Sequence, residues 1–452
     1  MTILEMKTIR FGILLLTVLT AVTGCKKDET PQNVPVDVDV SVSFAGEEYA
    51  KNLDVEGVTV NVYSASGQMV FQGTTDATGT IKVEQLSPAT YTLQATKVYA
   101  ASDFNAAMGK TEEADVTFTT EQKIVEVSIA SEKSFDLQLM TGTTNALVIK
   151  QIYYTGSHAQ QGASFRDQFI EIYNNSDHVV YADGLYIAEA YGANNANAQY
   201  AYQPNSGQYD WSKSYGMPAN LNANVDYVYA RTIIQLPGDG EQYPIQPGES
   251  IVVASTAVNH QSPYTGTDGV TISVQDPSLT VDLSKADFEA YYAPYIETGR
   301  PLASDVDNPT VPNVIVHRRS GNATDLIMDQ TGRISWLIFN DEGMGAVSSW
   351  KGYDLPYTDG RERTDGTYIQ IPVANIIDAV ELQSSSTSTV YPKRLTAQQD
   401  AGWIAANGGA RSSNAVIRKT KDVVNGRRVL MDTNNSTEDF LSIKANPRGF
   451  AD

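Results

Sequence analysis

The chain has 452 residues and a formal charge of −21, from 53 acidic and 32 basic side chains. That balance argues against nucleic acid as a partner, because phosphate binding is driven by Lys and Arg displacing counterions, and against a polybasic hold on anionic lipid. One cysteine excludes an internal disulfide framework and any multi-cysteine zinc site, and four histidines at least 20 residues apart offer no local metal-ligand pair.

At the N-terminus, Lys7 and Arg10 precede FGILLLTVLTAVT (11–23), a basic region followed by a short apolar run, as in a secretory signal. The run falls short of the ~20 apolar residues that a membrane-spanning helix needs. Met1 and Met6 are equally natural initiators. The run ends at Val22-Thr23-Gly24-Cys25, which places the only thiol after small residues. This resembles the bacterial lipobox, and the resemblance implies removal of residues 1–24 and a diacylglycerol on Cys25. Lys26-Lys27-Asp28-Glu29 is similar to the lysine-plus-acid signal that exports Bacteroidetes lipoproteins to the outer face of the outer membrane, the alternative being an ordinary charged tether. Residues 25–35 then read as a lipidated, extended tether.

From residue 36 onward, period-2 segments bounded by Gly, Asn, Asp and Pro dominate. The expected fold class is all-β: two immunoglobulin-like β-sandwich domains, the second enlarged by long insertions and a few short helices. VDVDVSVSF (36–44) alternates strictly, and 57–96 reads as four strands with turns at Ser66-Gly67, at Thr75-Asp76-Ala77-Thr78-Gly79 and at Leu86-Ser87-Pro88-Ala89-Thr90-Tyr91. In the second turn Asp76 can bond nearby backbone and Gly79 can take positive φ. The phrases TDATG and LSPATY resemble the carboxypeptidase-regulatory or prealbumin-like sandwich, which implies a spacer or contact module over 36–140.

Residues 141–145 form the expected linker. Beyond them, FIEIYNN (169–175), ADGLYI (182–187) and YPIQPGESIVV (243–253) combine alternating strands with Asn-Asn, Asp-Gly and Pro-Gly turns. They resemble the lamin-tail domain over 146–452. A compact sandwich needs about 100 residues, so insertions are expected at about 191–230 and 255–330. Ser284 with Asp287, and Thr396 with Gln399, read as N-caps of two short helices. The whole arrangement resembles Bacteroidetes surface lipoproteins of uncharacterised function.

No GxSxG, GxxxxGK[ST] or GxGxxG is present, and no acidic pair stands out, so no catalytic residue is assigned. Two segments carry binding chemistry. Residues 191–229 set Tyr200, Tyr202, Tyr209, Trp211 and Tyr215 among amides, the composition of contact surfaces. A loop whose tyrosines fold back over the sandwich edge is the structural alternative. Asp305, Asp307 and Asn308 bring together oxygens that suit Ca²⁺, although Asx turns explain them equally well and the EF-hand spacing is absent. No other cofactor is expected.

The expected function is a non-catalytic outer-membrane, cell-surface lipoprotein acting as a binding or accessory module. Its partners would be the membrane, through the lipid, and an outer-membrane transporter in nutrient capture or an extracellular glycan or protein. The alternatives are a carboxylate-based hydrolase with its site in 255–330 and a structural envelope or matrix component. A sandwich fold does not choose among them.

Overall fold

The computed structural model describes residues 34–44, 47–64, 69–110, 116–120, 123–141, 146–363, 367–386, 390–424 and 426–451. The signal segment, Cys25, Lys26, Lys27, Asp28, Glu29, the Ser66-Gly67 turn and residues 142–145 lie outside them. Strands dominate throughout, so the protein is all-β. No helix among the described residues is long and apolar enough to cross a membrane.

The opening strand, Val36–Phe44, buries Val36, Val38, Val40, Val42 and Phe44 and turns Asp39 and Ser43 to solvent. It belongs to an eight-stranded sheet, antiparallel to Thr80–Leu86 on one side and parallel to Ser134–Thr141 on the other. The long strand Ala89–Tyr99 pairs with Lys123–Val127 through its first half and with Val116–Thr120 through its second. A strand that changes partners part-way bends the sheet around its own core, which gathers Val60, Val83, Leu93 and Phe118. At the TDATG turn, Asp76 Oδ1 accepts from Thr78 N at 2.8 Å and Thr80 N at 3.0 Å. Together with the Thr78 hydroxyl, these donors hold the Asp76 carboxyl down to about 2. Gly79 has φ +77°, and a Cβ there would lie 2.6 Å from Val42 O. The helix Ala101–Met108 was not foreseen; its C-terminal signal is Gly109, in the left-handed region.

The second set of strands forms two large sheets, accompanied by three two-stranded ones among the described residues. The six-stranded one runs Phe288–Glu289, Ser250–Ala254, Phe169–Asn174, Leu147–Tyr153, Asn414–Arg418, Phe440–Lys444. The seven-stranded one runs Gly352–Tyr353, Tyr368–Pro372, Tyr227–Gln235, Tyr186–Ala190, Ser335–Phe339, Ile376–Glu381, with Ile315–Arg318 also on Tyr227–Gln235. Ile149, Ile172, Ile187, Ile234, Trp336 and Val416 pack in the core that the two sheets share. The outer faces are covered as well. Tyr186, Ala188, Leu337 and Phe339 join Trp350 and Leu395 on one side; Phe169, Val252 and Ala415 join Val281, Leu283 and Val311 on the other. Leu147–Tyr153 and Phe169–Asn174 are buried on both faces, and the charges they carry are paired there, with Lys150 Nζ 2.8 Å from Glu171 Oε1.

Both expected helices are absent. Asp282 Oδ1 accepts from Ser284 N, and Phe288–Glu289 continues as a short strand parallel to Ser250–Ala254. The exposed backbone of that edge strand outcompetes a short helix, because Glu289 also satisfies Ala257 N and Asn308 N with its carboxylate. At Thr396 a single turn forms, with Asp400 N donating to Thr396 O. It stops there because the Asp400 carboxylate is taken by Glu381 N and Ser436 N.

The Asp-Gly turn at 183–184 is organised by its acid. Asp183 accepts from Gly240 N (3.2 Å), Gln242 N (2.8 Å) and Tyr243 N (2.8 Å), fastening the 238–243 loop. Burial pushes this carboxyl up, but the three amides outweigh it and leave it below its ordinary value. Asp183→Ala should cost about 1–2 kcal/mol in urea unfolding. A loss below a few tenths would show that the loop holds itself.

Candidate functional site

The Tyr-rich segment 191–229 lies over the strands Tyr227–Gln235 and Tyr368–Pro372. Asp210 anchors it: Oδ1 accepts from Ser212 N, Ser212 Oγ and Asn224 Nδ2, starting a short turn of 3-10 helix at Trp211. Trp211 then stacks on Tyr229 with centroids 3.9 Å apart and planes 12° off parallel. Tyr209 stacks with Tyr202 at 5.5 Å and meets Tyr200 edge-on at 5.5 Å. Tyr209 and Trp211 are buried, Tyr200 and Tyr202 are half-buried, and Tyr215 is 51% exposed, outside the cluster. Four of the five aromatic candidates are thus brought together, and the two most buried serve the packing.

At one end of this cluster, Tyr191 and Tyr368 stack with centroids 4.6 Å apart. Both line a cavity of about 530 Å³ whose other walls include Arg231, Thr367 and the run His317-Arg318-Arg319-Ser320-Gly321-Asn322. Strand pairing sets Arg231, His317, Arg318 and Tyr368, since Arg231 lies on Tyr227–Gln235, which pairs with both Ile315–Arg318 and Tyr368–Pro372. Residues 319–322 form the loop that leaves Ile315–Arg318.

The three arginines differ in what holds them. Arg231 Nη2 donates to Glu189 Oε1 at 2.5 Å, and its guanidinium sits 5.2 Å from the Tyr191 ring centre. Burial works against the Arg231 charge, yet Glu189 more than compensates. Among the described residues Arg318 donates to Thr367 O alone, and its half-burial pulls the guanidinium below its ordinary value. Arg319 Nη1 donates to Ala323 O at 2.7 Å. Among the described residues, neither Arg318 nor Arg319 is in an ion pair with a carboxylate. His317 Nε2 is 2.7 Å from Gln235 Oε1, and burial pushes this histidine down, so it is neutral at pH 7.

The calcium candidates diverge. Asp305 is buried, and its Oδ2 accepts from Tyr292 N at 3.1 Å. Asp307 Oδ1 accepts from Asn313 Nδ2 at 2.8 Å, and Asn308 Oδ1 closes a turn on Thr310. Among the described residues, no group of three His, Cys, Asp or Glu is arranged to hold a metal ion. None of Arg231, Arg318, Arg319 and Tyr368 had been singled out as a binding residue. The available signal was HRRSG (317–321), a basic run inside a strongly acidic chain.

Residues 246–447 match a family described as a protein of unknown function (DUF4876). The chain is similar to a crystal structure of a DUF4876 family protein from Bacteroides thetaiotaomicron. The two share 22% identity, the match covers 92% of this chain and 98% of that one, and the TM-score is 0.48. It also matches a structure titled as a candidate adhesin from Bacteroides ovatus (12% identity, 55% and 87% covered, TM-score 0.18). A third match is BcpA, the major pilin subunit of Bacillus cereus (10% identity, 75% and 96% covered, TM-score 0.16). No curated protein matches the chain.

Proposed function

We propose that this chain is a non-catalytic binding or accessory module on the outer face of a bacterial outer membrane. A lipid on Cys25 anchors it, Lys26, Lys27, Asp28 and Glu29 direct its export, and the cavity beside Tyr191 and Tyr368 is its ligand contact. The observation that carries the reading is that cavity. It is polar, of ligand size, and walled by paired strands, stacked rings and the 319–322 loop, so part of the contact is formed before a ligand enters. Its lining suits recognition better than bond-breaking: His317, its one near-neutral base, is engaged with Gln235 and depressed by burial.

The test uses the purified chain from Lys26 onward against extracellular glycans and peptides, read by calorimetry. Ser320→Trp is the blocking variant, since Ser320 lines the cavity. A ligand should bind the parent chain and lose about tenfold or more in affinity with Ser320→Trp, at an unchanged unfolding temperature. A ligand that binds both equally, or turnover of any compound, would remove the cavity or the non-catalytic role. Protease shaving of intact cells tests the address separately: the parent chain should be cleaved and Cys25→Ser should lose its membrane association.

A further inference from the structure

We infer that the cavity takes a saccharide bearing an oxyanion, a carboxylate or sulfate, with Arg318 and Arg319 as its charge-recognising residues. The inference rests on the ligand-contact role proposed above and names the class of ligand.

Charge makes the first part of the argument. A protein of −21 repels anions at long range, so an anionic ligand has to be recognised by local, oriented donors. Adjacent arginines supply them. Each guanidinium carries five N–H donors, whereas among the described residues Arg318 and Arg319 each have a single carbonyl partner, Thr367 O and Ala323 O. Those carbonyls fix the direction of each side chain, and the charge of Asp354 supports the Arg318 cation without an ion pair between them among the described residues. Arg231 is different, because Glu189 already balances it, and it contributes wall rather than charge. Half-burial of Arg318 leaves its charge poorly solvated, so an oxyanion that replaces lost water is favoured.

The second part separates a sugar from a nucleotide or an aromatic acid. A planar base needs a free ring face. Here Tyr191 and Tyr368 lie on each other at 4.6 Å, the guanidinium of Arg231 sits 5.2 Å from the Tyr191 ring centre, and Trp211 meets Tyr368 edge-on at 5.8 Å. What remains is ring edges plus Ser320, Asn322 and Thr367, the donors and acceptors that match several hydroxyls. A cavity of about 530 Å³ has room for one or two sugar rings.

The experiment titrates the chain from Lys26 onward with four disaccharide probes: one containing glucuronate, the same compound with its carboxyl reduced to the alcohol, a sulfated one and a neutral one. Binding of the glucuronate or the sulfated probe should exceed that of the reduced and neutral compounds by about tenfold or more, the value of one charge-assisted contact. Which of the two binds identifies the anion. Arg318→Gln and Arg319→Gln, made singly, should each erase most of that difference at an unchanged unfolding temperature. Equal binding of all four probes, or a preference that survives both variants, overturns the inference. Absence of saccharide binding beside a different ligand that is sensitive to Ser320→Trp overturns the inference and keeps the ligand-contact role. Absence of any ligand sensitive to Ser320→Trp overturns both.

Discussion

Raising the pH from 5 to 8 should lower the stability of this protein by several kcal/mol. Four acids of the second unit are buried: Asp167, Asp305 and Asp325 leave carboxyl oxygens unpartnered among the described residues, and Glu289 accepts from only two backbone amides. Asp325 is 1% exposed and, among the described residues, neither of its carboxyl oxygens has a hydrogen-bond partner. Asp305, equally buried, leaves Oδ1 unpartnered, and Asp167 leaves Oδ1 unpartnered while Oδ2 accepts from Tyr153 Oη at 3.1 Å. Burial pushes Asp167, Asp305 and Glu289 each up to about 7. It drives Asp325 well above the ordinary carboxylate range, helped by the charge of Asp305. In the unfolded chain these groups ionise near pH 4, so between pH 4 and 7 the folded state holds more protons. Their contribution is therefore complete below about pH 4 and is lost as the pH rises towards and through 7. A gap of about three units corresponds to roughly 4 kcal/mol for one group, and the coupled acids share part of that loss. Carboxyls held below their ordinary values, such as Asp76 and Asp183, act in the opposite sense and only below about pH 4. The stability maximum should thus fall near pH 4–5. Urea unfolding at pH 5 and pH 8 measures the difference. Asp325→Asn should be close to neutral at pH 5 and stabilising at pH 8, flattening the profile. A midpoint that rises or stays level from pH 5 to 8 would refute this account.

The second large effect belongs to Arg418, whose guanidinium is fully buried between the two sheets. Nη2 donates to Asp378 Oδ2 at 2.6 Å, Nη1 to Asp432 Oδ1 and Asp439 Oδ2 at 3.2 Å and to Met431 O at 2.8 Å, and Nε to Ile149 O at 3.0 Å. Asp378 also accepts from Ile149 N at 2.6 Å, so this one ion pair joins Ile376–Glu381 of one sheet to Leu147–Tyr153 and Asn414–Arg418 of the other. Burial pushes Asp378 and Asp439 up, and the Arg418 charge opposes that rise. Arg418→Leu leaves these carboxyls without their cation and should cost about 3–5 kcal/mol. Adding Asp378→Asn and Asp439→Asn should recover part of the loss, because a neutral cluster no longer strands buried charge. Chemical denaturation of the single and triple variants tests this, and a single-variant loss below about 1 kcal/mol would show that the carboxyls relax into water.

The all-β class was legible because period 2 is written residue by residue, as in Val36 to Phe44. The turns were legible where one residue carries the geometry: Asp76 with Gly79, and Asp183 with its three amides. The helices expected at Ser284 and Thr396 failed for a physical reason. Local capping competes with long-range partners, and Glu289 and Asp400 gain more from Ala257, Asn308, Glu381 and Ser436 than from a helical turn. The cavity was illegible because its walls come from positions 191, 231, 317–322 and 367–368, which only strand pairing brings together. The aromatic segment was visible as composition, but composition could not show that Trp211 would spend its face on Tyr229.

The parallel pairing of Val36–Phe44 with Ser134–Thr141 has a mechanical consequence. Asp39 to Phe44 sit opposite Ser134 to Leu139, so the chain enters this unit at one pole and leaves at the other, about 20 Å further along at ~3.3 Å per residue. A pull between an anchored N-terminal end and a load on the C-terminal side would draw these two strands past each other lengthwise. All of their cross-strand hydrogen bonds would then resist together, in shear, instead of opening one at a time from an end. The first and last strands of the unit therefore form a clamp against lengthwise stretching.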